Sequence, residues 1–203
     1  TLNAALTTLN ALAADARTLQ AETGRYIRPI LLVQVERTGA DQRDSRYIHA
    51  EDVKAWVLTA GLDAPEIAIK TAEQNDLSQP ENQDLLAPTN RVRVIITKQA
   101  LQEGWDCPFA YVLCALAASH TLNALTQLVG RILRQPGALK TGVPTLDECH
   151  VVTHHANTAA VVQAIQQGLE RDGLGELVLQ IHQPNPPAGS NNQRPINRRP
   201  GFE

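Results

Sequence analysis

The sequence is short of several things, and each shortage excludes a class of protein. Aromatic residues make up only 3% of its 203 residues while apolar residues make up 43%, so a core must be built from Leu, Val, Ile and Ala. There is no basic excess: 18 Lys and Arg stand against 21 Asp and Glu, a net charge of −3 and a pI near 6.1. That balance excludes a free-standing electrostatic nucleic-acid binder; any such contact must be local or shared with other domains. Three cysteines, Cys107, Cys114 and Cys149, have neither an even count nor zinc spacing, which excludes a disulfide framework and points to reduced thiols in the cytoplasm. No apolar run approaches the roughly 18 residues that span a bilayer, and no signal peptide is found, so no membrane association is expected. Methionine is absent altogether and the first residue is Thr1, so the chain is expected to be a piece of something longer.

What is present alternates between two periodicities. Leu2, Leu6, Leu9, Leu12, Ala13, Ala16 and Leu19 recur at three and four, one face of a helix over 2–22 that Gly24 ends. Ile30 to Val35 is a short apolar run after Pro29 and predicts a buried strand. A polar loop, Glu36 to Arg46, leads to a helix over 50–60 with Val53, Trp56, Val57 and Ala60 inward and Gly61 as its stop. Further strands are predicted at Ile67–Ile69, Val92–Ile96, Tyr111–Leu116 and Cys149–Thr153, with a last short one at Leu177–Leu179. Residues 71–90 are polar, hold Pro80 and Pro88, and read as a loop with no buried face, mobile in the isolated domain. A loop of that length inside a domain usually has a job. A helix over 157–171 would turn Val161, Val162, Ile165 and Leu169 inward.

Strands alternating with helices, several of them apolar on both faces, predict an α/β domain with a mostly parallel sheet. The predicted organisation is an N-terminal helix over 1–24, a domain over 25–182, and a Pro-, Asn- and Arg-rich linker or tail over 183–203. In that tail Arg194, Arg198 and Arg199 read as solvated rather than phosphate-bound.

The most informative stretch is Gln127 to Gln135, inside a helix predicted over 122–134. At about 100° per residue, Gly130, Arg131 and Arg134 fall within about 60° of Gln127, while Leu125, Leu128, Val129, Ile132 and Leu133 fall opposite. A mid-helix Gly costs roughly 1 kcal/mol against Ala, but lets another group approach the backbone. The flanking guanidiniums suit phosphate oxygens. An ordinary amphipathic helix with a basic outer face would show the same pattern.

The pattern Gln-x-x-Gly-Arg-x-x-Arg resembles motif VI of superfamily 2 helicases and translocases. Upstream, Ile95 to Asp106 resembles their motif V: a strand, a Thr at its end, then Gly-x-Asp. Ile30 to Val35 sits where motif IV begins. The wording TKQALQEGWDCPFAYVL followed by QLVGRILRQP is similar to the helicase part of type III restriction enzymes. The resemblance covers about residues 25–175 and is dense at 94–136. Ile132-Leu133 replaces a Gly that many family members carry between the arginines, a departure that the restriction branch tolerates.

The resemblance implies a RecA-like fold: the second half of an ATP-dependent motor, working against a first RecA-like domain that carries the phosphate loop and the Mg²⁺-binding Asp-Glu box. By that likeness Arg131 and Arg134 act on the γ-phosphate as catalytic residues, and Gln127 and Gly130 belong to the same nucleotide face. Gly104 and Asp106 form a turn near the ribose, and Thr97 and Lys98 contact the DNA backbone. The implied cofactors are ATP and Mg²⁺. The implied partners are DNA, the first motor domain, and a methyltransferase subunit that reads the sequence. A non-enzymatic module binding nucleic acid or a partner on an inherited motor fold is the alternative, and a missing phosphate loop suits it too.

Several chance matches are set aside. Leu146-Asp147-Glu148-Cys149-His150 contains the Asp-Glu-x-His of motor ATPases, but it follows the other motifs and precedes its strand, so its acids stand at the wrong end. No Gly-x-x-x-x-Gly-Lys-[Ser/Thr] occurs; Gly137 to Thr141 lacks the second Gly. Asp52-Val53-Lys54 has nuclease spacing but begins a helix. His154-His155 has no carboxylate or Cys at ligand spacing, so no metal is expected. Cys107 has no His partner and reads as a packed thiol.

Overall fold

Short runs of Ile, Leu and Val bounded by polar loops become strands when both faces can be covered, and five of them do so here. The computed structural model describes residues 1–35, 48–98, 107–116 and 139–153, together with 163, 166, 167 and 170. Strands β1 (Ile30–Gln34), β2 (Ile67–Lys70), β3 (Val94–Thr97), β4 (Ala110–Ala115) and β5 (His150–Thr153) form one sheet in the order β2-β3-β1-β4-β5. Every pairing is parallel. The expected α/β architecture, a parallel sheet flanked by helices, is the one observed. β1, β3 and β4 are buried at every position, so both faces of the sheet centre are covered.

Helix α1 (Leu2–Thr23) packs on β1, β4 and β5 through Leu2, Ala5, Leu6, Leu9, Leu12, Ala16 and Leu19, all part of the same core as the strands. Ala5 joins the buried stripe and the expected Ala13 is half-buried; the other six expected positions are buried. Gly24 takes the left-handed conformation at φ 76° and donates its N–H to the Gln20 carbonyl, closing the helix as a glycine C-cap does. Helix α2 (Ala50–Thr59) packs on β3. Its inward residues are Ala50, Val53 and Val57; Trp56 is half-buried and Ala60 exposed, because the chain leaves the helix at Ala60 and turns through Gly61 at φ 100°. Residues 163, 166, 167 and 170 are helical and polar, on the side of the predicted last helix away from its apolar residues. The segments 122–134 and 177–179 and the tail lie outside the described residues.

The loop over 71–90 departs from expectation. It contains 3₁₀ turns at Asp76–Ser78 and Pro80–Asn82, and Leu77 and Leu85 pack against the core. Asn90 is buried at 5% exposure. The segment is held by polar groups, which hydrophobic periodicity does not register. Asp76 Oδ2 accepts the Ile69 N–H at 2.9 Å, and Asn82 Nδ2 donates to the Asp76 carbonyl at 2.9 Å. Arg28 is the principal anchor. Its Nε donates to the Val92 carbonyl at 3.1 Å, and its Nη2 donates to the Leu85 carbonyl at 2.5 Å and to Asn90 Oδ1 at 3.1 Å. Its Nη1 reaches the carbonyls of Ala87 and Asn90 and the Tyr26 hydroxyl. β3 begins at Val94 rather than Val92 for the same reason: the Val92 N–H is taken by Asn90 Oδ1 and its carbonyl by Arg28. Arg28→Ala is therefore expected to lower stability by about 2–4 kcal/mol, the cost of leaving several part-buried acceptors without a charged donor. Urea denaturation measures the loss. Hydrogen exchange should show 85–92 losing protection first.

Candidate functional site at the C-terminal edge of the sheet

The pairing registers lay the strands out in rows. Three successive rows are apolar apart from one His: Ile67, Val94, Leu31, Val112 and His150; then Ala68, Ile95, Leu32, Leu113 and Val151; then Ile69, Ile96, Val33, Cys114 and Val152. The fourth row, at the C-terminal edge, changes character to Lys70, Thr97, Gln34, Ala115 and Thr153. Side chains in one row of a parallel sheet share a face, so this edge carries a line of polar groups. In open parallel sheets ligands bind at this edge, where neighbouring connections diverge. That point lies between β1 and β4: the chain leaves β1 towards β2 on one side and leaves β4 towards β5 on the other.

Gln34 ends β1 at this point. It is 2% exposed, and its Oε1 has no hydrogen-bond partner. A buried amide oxygen without a donor costs about 1–3 kcal/mol. Gln34 is not among the site residues that the motifs mark in the sequence. Its signal is the one amide inside an otherwise apolar run, Ile30 to Val35.

Thr97 ends β3 beside Gln34 and is also 2% exposed. Lys98 follows it; its side chain is 15% exposed, and its Nζ lies 3.1 Å from Glu73 Oε2. Glu73 stands on a turn fixed by its own hydrogen bonds, from Thr71 N to the Gln74 carbonyl at 2.7 Å and from Gln74 N to Thr71 Oγ1 at 3.1 Å. Gln74 Nε2 is in turn held by the Asp76 carboxylate. Thr97 closes β3 and Lys98 is the first residue after it. Gly104, Asp106, Gln127, Gly130, Arg131 and Arg134 lie outside the described residues; their segments follow β3 and β4 in the chain.

Two of the chance matches, Asp147 and Asp52, have structural roles, while His154 and His155 lie outside the described residues. Asp147 Oδ1 accepts the Thr141 N–H at 2.6 Å and the Thr141 hydroxyl at 2.8 Å, and Oδ2 accepts the Gly142 N–H at 3.1 Å. The carboxylate closes the 141–147 loop at the N-terminal edge, before β5 starts, the opposite end from the polar row. Asp52 Oδ2 accepts the His49 N–H at 3.1 Å as part of the α2 cap. No disulfide joins the three cysteines, and Cys107 is buried. Burial pushes the thiols of Cys114 and Cys149 up to about 12, far from any reactive thiolate. Tyr111, whose hydroxyl is buried without a partner, is likewise raised to about 12 by burial, with Arg25 opposing and Asp147 adding. Among the described residues no group of His, Cys, Asp and Glu could hold a metal, and no helix is long and apolar enough to cross a membrane.

No protein-family model matches the chain, and no curated protein matches it. Among solved structures it is similar to a variant S. cerevisiae Dbp5 C-terminal domain bound to Gle1 and IP6. The identity is 14% over 86% of this chain and 91% of that one, with a TM-score of 0.38. So loose a superposition assigns no activity, and the fold rests on the parallel sheet itself.

Proposed function

We propose that the chain is the second RecA-like half of an ATP-dependent DNA helicase or translocase, of the kind found in type III restriction enzymes. The observation that carries the reading is the polar row. At the C-terminal edge four of the five strands end on a polar residue, and both motif-bearing segments follow strands that end there: 99–106 after β3 and 117–138 after β4. In the chain, the motif V and motif VI residues follow strands that end at the edge where α/β domains bind ligands.

The donor set suits a nucleotide shared with another domain. Two guanidiniums, Arg131 and Arg134, match phosphate oxygens, and the Asp106 carboxylate matches a ribose hydroxyl. By the sequence periodicity Gln127 would supply an amide from the same side as the arginines, and Gly130 would leave room for a close approach. ATP, with Mg²⁺, would bring a transferable phosphoryl group whose developing charge the arginines stabilise. Lys98, Thr97 and the buried Gln34 line the neighbouring edge, where contacts to a nucleic-acid backbone would position the strand without reading its bases. The groups that grip the β- and γ-phosphates belong to the first motor half, and a methyltransferase subunit would supply sequence recognition.

Purified residues 1–203 are accordingly expected to show no ATP hydrolysis, and weak nucleotide binding at best. A coupled phosphate-release assay with Mg²⁺ and DNA tests this. DNA-stimulated turnover by the chain alone would overturn the half-motor reading and restore Asp147 and Glu148 as candidates.

A further inference from the structure

Glu73 occupies Lys98. The ammonium stands at the polar C-terminal edge on a side chain that is 15% exposed, and it is engaged at 3.1 Å by a carboxylate oxygen from a side chain that is 60% exposed. The two residues come from neighbouring strands: the register that sets Lys70 beside Thr97 brings the residues after each strand alongside, and Glu73 follows Lys70 by one tight turn. That turn is fixed by the Thr71–Gln74 bonds and by Asp76, which also accepts the Ile69 N–H. The carboxylate is therefore presented by a rigid support, while its partner is a flexible ammonium with rotatable donors.

A carboxylate and a backbone phosphate offer the same thing to an ammonium: an anionic oxygen at hydrogen-bond distance. We infer that Glu73 is a built-in substitute for nucleic-acid phosphate, holding Lys98 in place until a backbone displaces it. The inference rests on the proposed function, which makes Lys98 a backbone contact. It gives the long 71–90 segment a role, since this segment carries the competing anion. Glu73 lowers affinity for any stray polyanion, and it keeps Lys98 extended towards the edge rather than folded back. Binding becomes an exchange of one anion for another.

The test is binding of a fluorescein-labelled single-stranded oligonucleotide to the full chain by anisotropy, across a salt series. Glu73→Gln is expected to tighten binding about 2- to 5-fold at low salt, the range of a partly exposed ion pair, with the gain shrinking as salt screens the pair. Lys98→Gln is expected to weaken binding about 3- to 10-fold and to make the log–log salt slope shallower by about one. In the double variant the Glu73→Gln gain should vanish, because no ammonium remains to be released. Thermal melts of all three variants should match the wild type within a few degrees, since Glu73 is 60% exposed and Gln keeps much of the side-chain volume at either position.

The outcomes separate the two ideas. If the wild type does not bind at low salt, or Lys98→Gln binds as well as the wild type, the nucleic-acid reading of this edge fails and the inference falls with it. If Lys98→Gln weakens binding while Glu73→Gln changes nothing, or Glu73→Gln gains equally without Lys98, the reading stands and the substitution idea is wrong. If Glu73→Gln tightens ATP in a parallel titration but not the oligonucleotide, Lys98 serves nucleotide phosphate, and the inference as stated is overturned.

Discussion

Arg131→Ala or Arg134→Ala, placed in a protein that carries both motor halves, is expected to lower DNA-stimulated ATP hydrolysis by about 10³–10⁵-fold, the contribution such arginines make to phosphoryl transfer. The fold should be untouched. Helical periodicity puts both side chains with Gln127 and Gly130, away from Leu125, Leu128, Val129, Ile132 and Leu133, so truncation removes charge rather than core volume. A guanidinium working only on the developing charge of the transferred group changes kcat more than KM. Arg→Lys should recover little, because an ammonium cannot reproduce the two parallel bonds of the fork. Turnover under saturating ATP, paired with a thermal melt, checks this. Wild-type turnover in either alanine variant would reduce this helix to a basic surface, and both assignments would have to be withdrawn.

The parts of this fold that were legible in sequence are those encoded locally. Ile30 to Gln34 could be placed as a buried strand because five successive residues are compatible with one. α1 and α2 announced themselves by spacing and by Gly24 and Gly61. The register row that turns polar at Lys70, Thr97, Gln34 and Thr153 was not legible, since it depends on how four strand ends line up. Arg28 escaped notice for a related reason. Its acceptors at Leu85, Asn90 and Val92 lie 57, 62 and 64 residues along the chain, and they are backbone carbonyls or an ordinary Asn. Backbone carbonyls leave no mark on composition, so a polar segment pinned by them reads as a loop with nothing to bury. Glu73 is hidden in the same way, as one acid among 21 Asp and Glu. The opposite error, seeing chemistry in Leu146 to His150, was avoidable because strand direction alone put Asp147 at the wrong edge. The Thr141 and Gly142 bonds now account for its carboxylate.

Leu32 is the residue on which the sheet's integrity should depend most. It is fully buried, in the middle strand, with Ile95 beside it on β3 and Leu113 on β4. Leu32→Ala removes methylene groups from a site that flanking strands prevent from collapsing, and should cost about 2–5 kcal/mol. Leu32→Asp should do more. It adds the penalty of several kcal/mol for a carboxylate set between Ile95 and Leu113, against a total stability of about 5–15 kcal/mol for a typical domain. Its expected result is a chain that does not fold, with Leu32→Asn between the two because an amide carries no net charge. Leu58, 39% exposed on α2, provides the contrast: Leu58→Ala should move stability by no more than about 0.5 kcal/mol. The ordering also separates structural loss from chemical loss. Leu32→Ala should reduce motor activity only as far as the unfolded fraction grows, so cooling should restore it, whereas no temperature should restore Arg134→Ala. Equal melting of Leu32→Ala and Leu58→Ala would mean that β1 does not occupy the centre of the sheet. The polar edge built on Gln34 and Thr97 would then have no foundation.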